Sequence, residues 1–227
     1  CFHRRIRYAL AYRQQVMGED FAACRLIFGE ADGFPGWTVD RYGDVLVSEV
    51  LSLGIERRRA MLYALLREEL AALGVNVSCI YERNESLIRE KEGMTCGKGP
   101  HAAPGLETNP SGHAEICENG IYFDVDYING QKTGYFLDQK YNRAAAGRLA
   151  HGRRVLDCFT HTGAFALHCA AGGAESVTAV DVSASALEQA RRNAERNGLE
   201  GRMEFRQADV FELLTELGKS GEKPWDY

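Results

Sequence analysis

Val155-Leu156-Asp157-Cys158-Phe159-Thr160-His161-Thr162-Gly163-Ala164-Phe165 is the stretch on which the reading of the fold turns. A short apolar run ends in a carboxylate, a tight turn of small and polar residues follows, and an alanine-rich segment begins. This is the strand–loop–helix opening of a nucleotide-binding α/β unit, whose loop and helix N-terminus face a ligand. The pattern then repeats. Strands are expected at Arg154–Asp157, Ser176–Val180 and Met203–Arg206, and helices at 164–171, Ser185–Asn197 (stopped at Gly198) and Val210–Leu217. The order β-α-β-α-β-α predicts parallel strands in a doubly wound sheet.

Three carboxylates follow the three strand ends: Asp157, Asp181 and Asp209. In an open α/β sheet the ligand lies in the crevice at the carboxyl ends of the strands, and Asp181 is spaced like the acid that hydrogen-bonds a ribose diol. Asp209, one strand further out, is placed to meet an adenine amino group. Strand-end aspartates also cap helices, and Asp181 could do so after Ser183, but three in register with one loop favour a ligand. A dinucleotide loop needs G-x-G-x-x-G so that backbone can approach a pyrophosphate. Here Phe159, Thr160, His161 and Thr162 fill the turn, and only Gly163 is glycine. That bulk favours a phosphate-free adenosyl sulfonium, S-adenosylmethionine, over NAD. No G-K-[ST] follows, so a P-loop is excluded. His161 without a visible partner reads as structural, and Cys158 and Cys169 lack the exposed electropositive setting of a reactive thiolate.

The first half reads differently. A helix over residues 1 to about 23 carries Ile6, Leu10 and Met17 beneath a basic surface. Strands follow at Arg25–Glu30, Trp37–Asp40 and Val45–Leu51, separated by the turn signals Asp32-Gly33, Pro35-Gly36 and Tyr42-Gly43-Asp44. Residues 55–73 carry Met61, Leu62, Leu65, Leu66, Leu70 and Leu73 at helical spacing, ending at Gly74. Val77–Tyr81 is a strand, Asn84 caps a short turn, and residues 93–113 read as a loop. Asn119-Gly120 joins Ala114–Cys117 to Ile121–Tyr127 as a hairpin. A helix over about 138–150 takes Asp138 as N-cap and Gly152 as its stop. The expected architecture is a helical connector (1–24), a small α+β domain of EEHEE type (25–128), and the N-terminal part of a Rossmann-like domain (129–227).

At 227 residues, 45% hydrophobic and 26% charged, the composition is that of an ordinary globular protein without an apolar run long enough to span a bilayer. Seven cysteines, none in a C-x-x-C pair, indicate neither a zinc site nor a disulfide framework, and point to a reducing, cytoplasmic compartment. The net charge of −5 does not announce a nucleic-acid binder. Basic residues cluster at Arg4, Arg5, Arg7 and Arg13, and again at Arg57, Arg58 and Arg59, where a solvated helix face is the simpler reading. Cys1 opens the chain without Met or a signal-peptide pattern, so a fragment is expected.

The ordered motifs resemble the class I S-adenosylmethionine-dependent methyltransferases, and more narrowly the bacterial 23S ribosomal RNA (cytosine-5) methyltransferase family, built as a PUA domain, a central α+β domain and a Rossmann-like domain. The carriers are Gly29-Glu-Ala-Asp-Gly-Phe-Pro-Gly36 with Val39-Asp-Arg-Tyr-Gly43; Gly130-Gln-Lys-Thr-Gly-Tyr-Phe-Leu-Asp-Gln139 with Arg143; Val155 to Gly163; Asp181-Val-Ser183 with Asn193 and Asn197-Gly198; and Asp209-Val-Phe211. The resemblance implies S-adenosylmethionine as cofactor, with Asp157, Cys158, Phe159, Thr160 and Gly163 around its methionine end, Asp181 at the ribose and Asp209 at the adenine. Val182 and Val210 follow these acids and are counted with them. Phe136, Asp138 and Arg143 are implied as a segment closing from the N-terminal side; Arg143 either pairs with the cofactor carboxylate or forms a salt bridge on its own helix. The implied partner is ribosomal RNA, with no metal, no membrane, and a homodimer left open. Two departures follow. No PUA domain precedes Arg25, and Trp225-Asp226-Tyr227 reads as the start of a fourth strand. The Pro-Pro motif and cysteine nucleophile of cytosine-5 chemistry are expected beyond residue 227, so these residues should hold the donor without catalysing. A different acceptor on the same fold, or a non-catalytic RNA-binding module, are the alternatives.

Overall fold

Turn chemistry and apolar spacing account for most elements of the computed structural model, which describes residues 1–221 and 224–227. The chain forms two units: Cys1–Cys117 with Val125–Leu137, and Glu118–Asp124 with Asp138–Tyr227.

In the first unit, α1 (Phe2–Met17) buries Ile6, Ala9 and Leu10 at one-face spacing and runs into a 3₁₀ turn, Gly18–Ala22. Strands β1 (Ala23–Phe28), β2 (Trp37–Tyr42) and β3 (Val45–Val50) follow, with Gly43 in the left-handed region turning β2 into β3. A short turn α2 (Leu53–Glu56) and α3 (Arg59–Ala72) then cross over to β4 (Cys79–Asn84). The crossover is obligatory, because β3 and β4 pair in parallel, whereas β1–β2, β2–β3 and β4–β5 are antiparallel. The turn α4 (Ile88–Lys91) precedes β5 (Gly97–Pro100), which completes a five-stranded sheet in the order β1-β2-β3-β4-β5. Ile27, Val39, Leu46 and Ile80 join Ile6 and Leu10 of α1 and Leu62, Leu66 and Leu70 of α3 in one apolar core. Inside it, the Trp37 indole and the Tyr63 hydroxyl both donate to the Ser48 hydroxyl, which leaves neither polar atom orphaned.

Three expectations are corrected here. β5 lies inside the stretch read as a loop, since Gly-Lys-Gly-Pro carries no apolar alternation and is made a strand only by pairing Tyr81 with Pro100 and Arg83 with Lys98. Asn84 ends β4 instead of capping a turn; its side-chain oxygen accepts from the Val50 amide. The single helix expected at 55–73 is two, and Met61 and Leu73 lie on its exposed side.

The hairpin β6 (His113–Glu118) and β7 (Ile121–Asp126) turns at Asn119 and Gly120, φ 51° and 81°, the positive pair that a two-residue primed turn requires.

In the second unit, α5 (Lys140–Leu149) is followed by β8 (Arg154–Cys158), α6 (Ala164–Ala171), β9 (Ser176–Asp181), α7 (Ala184–Arg196), β10 (Met203–Gln207) and α8 (Val210–Ser220). The three strands are parallel, in the order β10-β9-β8, as the alternation predicts. On the other edge of β8, Leu156 N donates to Tyr227 O and Tyr227 N to Arg154 O, so β8 has backbone partners on both sides. Val155, Val177 and Ala179 pack with Ala166 and Ala170 of α6 in one small core. α5 approaches α6 closely because residue 147 is glycine; a Cβ there would stand 2.7 Å from His168 O. Asp138 does not cap α5. It lies in the 3₁₀ turn Leu137–Gln139, where Oδ2 accepts from Gln139 Nε2, and the N-cap position is Gln139. Among the described residues no helix is long and apolar enough to cross a membrane.

Among the described residues of this unit the most buried ion pair joins Arg143 of α5 to Glu118 at the end of β6: Nε–Oε1 2.6 Å and Nη2–Oε2 2.7 Å, both side chains 1% exposed. Removing one member of such a pair strands the other charge without water, at a cost of about 3–5 kcal/mol. Glu118→Ala is therefore expected to lower unfolding stability by that amount in urea titration; a loss below about 1 kcal/mol, the range of exposed pairs, would contradict this account.

Candidate functional site

The carboxyl ends of β8, β9 and β10 carry the three aspartates, and the register staggers them. Asp157 is level with Ala179, two residues short of Asp181, and Asp181 is level with Gln207, two short of Asp209. The acids thus step outward along the strand ends, and their roles diverge.

Asp157 Oδ2 accepts from Thr160 Oγ1 at 2.5 Å and from Ala166 N, so it ties down both the loop and the first turn of α6. Although Asp157 as a residue stays partly buried, its carboxyl is enclosed by the loop it holds. Loss of water pushes its pKa from 3.8 to about 6, against the two hydrogen bonds that pull it down. Asp181 reaches across: Oδ2 accepts from His161 N and Oδ1 from Ser183 N. The helix cap that Asp181 might have supplied belongs to Ser183, whose hydroxyl accepts from Ala186 N. Asp209 is the helix cap. Its Oδ1 accepts from Phe211 N and Glu212 N, the geometry of an N-cap.

The loop between these carboxylates is contorted. Phe159 and His161 both have left-handed backbones, φ 59° and 52°, and Gly163 follows at 81°. Bulky residues avoid this region, and such conformations persist where the surroundings over-determine them, often at ligand sites. Gly163 is required twice over, by its φ and because a Cβ would stand 2.7 Å from Leu167 Cδ1. Thr160 N donates to Val180 O, and Thr162 O accepts from Asn193 Nδ2, a fully buried amide that also receives Asp124 N. Burial lowers the His161 pKa against the opposing pull of Asp181, so its imidazole is held towards the neutral form. Cys158 and Cys169 are no thiolates: burial pushes both thiols up, Cys169 to about 12.

Three apolar side chains at this end face solvent. Phe159 is 57%, Val182 68% and Phe211 72% exposed, and the two phenyl rings lie 5.5 Å apart. Phe211 was not among the expected site residues; the signal for it was its place one residue past Val210, off the buried Val210–Leu213 side of α8. Val210 itself is buried in the core. Arg143 is placed in an ion pair with Glu118, so its salt-bridge partner comes from a strand, not from its own helix. Asp138 is exposed in the second unit; Phe136 belongs to the first, where Lys132 Nζ lies 4.8 Å over its ring.

A family model for S-adenosylmethionine-dependent methyltransferases matches residues 96–227. Ribosomal RNA large subunit methyltransferase I of Aeromonas salmonicida is 40% identical over 225 residues, 98% of this chain and 54% of that protein. The chain spans about half the length of the curated relatives it matches. A solved structure described as a SAM-dependent methyltransferase, from Streptococcus mutans, superposes with TM-score 0.81 at 25% identity, over 99% of this chain and 56% of that one. A methyltransferase solved in complex with S-adenosylhomocysteine superposes equally well, TM-score 0.81 at 25% identity, over 99% and 55%.

Because the folded-state pKa of Asp157 lies above the unfolded 3.8, wild type gives up stability as pH rises from about 4 through about 6, by about 3 kcal/mol in all. Asn at this position can still accept both hydrogen bonds and carries no charge to bury. Chemical denaturation should show Asp157→Asn equal to wild type near pH 4 and progressively more stable above it; a difference that does not change with pH would refute the assignment.

Proposed function

The chain belongs to the S-adenosylmethionine-dependent methyltransferase family, and from that premise we propose that it is the donor-binding part of an enzyme methylating large-subunit ribosomal RNA, at C5 of a cytosine. The observation that carries the substrate is the 40–43% identity, across 97–98% of the chain, to proteins named Ribosomal RNA large subunit methyltransferase I. The site suits the donor. A loop without G-x-G-x-x-G has no place for a pyrophosphate, and S-adenosylmethionine has none. Each Asp181 oxygen accepts one backbone amide and keeps a further lone pair for a ribose hydroxyl. Exposed Phe159, Val182 and Phe211 offer apolar surface for an adenine ring. Asp157, Cys158, Phe159, Thr160 and Gly163 would surround the methionine end, and Asp209, which caps α8 through Oδ1, would meet the adenine amino group through Oδ2 beside Val210. Asp138, in the same unit as the loop, would close over the ligand, as the resemblance implies.

When bound, the cofactor supplies an electrophilic methyl group on sulfur. The residues described here bind and orient it, and the tied loop fixes where that methyl points. Carbon methylation of cytosine also needs a nucleophile to add at C6 so that C5 becomes nucleophilic. Cys158 and Cys169, with raised thiol pKa values, do not serve. In this reading the transfer requires a residue other than these, and the base must be presented out of its stack.

Full-length protein incubated with ribosomal RNA and labelled S-adenosylmethionine should leave one labelled 5-methylcytidine in digests of the large-subunit RNA. Label on another base would overturn the position, and unlabelled RNA the substrate. Calorimetric titration with S-adenosylhomocysteine should show Asp181→Ala binding roughly tenfold or more weakly, as expected for a charged hydrogen-bond acceptor; unchanged affinity would rule out the ribose role.

A further inference from the structure

Within the first unit, the side of the five-stranded sheet opposite its apolar core carries a row of a different kind. The register pairs Phe28 with Thr38, Thr38 with Glu49, and Arg83 with Lys98. Glu49 and Arg83 each follow the parallel pair Ser48–Glu82, and alternation along the strands puts them on the same side as Thr38 and Lys98. A cavity of ≈ 410 Å³ opens there, lined among others by Arg25, Thr38, Glu49, Arg83, Glu85 and Lys132. That is the size range of small-ligand sites.

Its cationic groups are positioned in advance. Arg25 is held from Nε and Nη2 by both oxygens of Asp40, which is itself completely buried and also accepts from the Thr133 hydroxyl. Arg83 uses Nε on Glu85 and Nη1 on the carbonyls of Tyr127 and Gly130, which leaves Nη2 as its remaining donor. Lys132 is exposed and projects from a left-handed backbone, φ 52°, unusual for a lysine. Asp40 and Glu85 hold the two arginines, and Lys132 adds a third cation at the cavity, which Glu49 also lines. Burial pushes the carboxyl of Glu49 up. At the end of the row Phe28 is 55% exposed, with the Arg25 guanidinium 5.2 Å over its ring. Pre-organised cations beside an exposed aromatic on an open sheet are what single-stranded nucleic acid requires: charge for the backbone and a flat face for a base.

We propose that this sheet face binds a single-stranded stretch of the RNA substrate, with Arg83 and Lys132 on one backbone phosphate and Phe28 stacking a neighbouring base. The proposal rests on the reading that the substrate is RNA, and goes beyond it by assigning a surface. Fluorescence anisotropy of full-length protein with a labelled single-stranded oligoribonucleotide of mixed sequence tests it, across a salt series. Phe28→Ala and Lys132→Glu alter exposed side chains, and circular dichroism melting should show both folded as wild type. Each is expected to weaken binding about tenfold, the scale of one stacked base, and Lys132→Glu to reduce the slope of log affinity against log salt by about 0.7, one phosphate contact. If wild type binds RNA and both variants bind as tightly with the same slope, the sheet face is wrong and the RNA reading stands. If wild type binds neither the oligonucleotide nor ribosomal RNA, both fall.

Discussion

Two carboxylates tying one loop set the character of the candidate site. Asp157 holds Thr160 and Ala166 from below, and Asp181 holds His161 from the next strand. Between them the backbone passes through left-handed conformations at Phe159 and His161, which cost on the order of 1–3 kcal/mol each and relax unless something opposes them. The opposing force is electrostatic: amides and a hydroxyl donated to acids already partly withdrawn from water. The same withdrawal raises the Asp157 pKa, so the arrangement sacrifices stability at neutral pH to fix the loop. A binding loop made this way is stiff without being glycine-rich. Its bulk excludes a pyrophosphate, and its rigidity suits a ligand whose reactive methyl group must be aimed.

The strand-end acids share a position type but not a task. Asp157 supports the loop from beneath, Asp181 bridges loop and next helix while keeping acceptor capacity, and Asp209 satisfies two amides at the start of α8. Capping α8 leaves Phe211 at its first turn, exposed and near Phe159. A cap in this place therefore shapes the apolar surface next to Asp181. Ser183 does the same on the neighbouring strand, taking over the cap of α7 so that both oxygens of Asp181 remain directed at the loop and at Ser183 N.

The five-stranded sheet of the first unit separates its two sides by chemistry. One side is closed with α1 and α3 over aliphatic residues and a Trp37–Ser48–Tyr63 hydrogen-bonded core. The other keeps its arginines fixed by carboxylates: Arg25 by the buried Asp40, Arg83 by Glu85. Arginines whose geometry is settled before a ligand arrives lose less entropy on binding than free ones.

How much of this was written in the chain depends on the range of the physics involved. The sequence by itself determined what local rules control: alternation of apolar runs with alanine-rich segments gave the parallel strands β8, β9 and β10, and Asn119-Gly120 gave the hairpin through its tolerance of positive φ. The loop composition alone separated S-adenosylmethionine from a dinucleotide. Tertiary structure decided the partners. Arg143 finds Glu118 25 residues away, where spacing could offer only a cofactor or a helix neighbour. Asp209 caps α8, which the residue type at a strand end allows but does not announce. Gly97–Pro100 became a strand only because β4 offered it an edge, and no periodicity announces a strand whose order comes from pairing. Periodicity and turn propensity act within a few residues. Hydrogen-bond satisfaction, burial and charge pairing act between segments that meet only after the chain has folded.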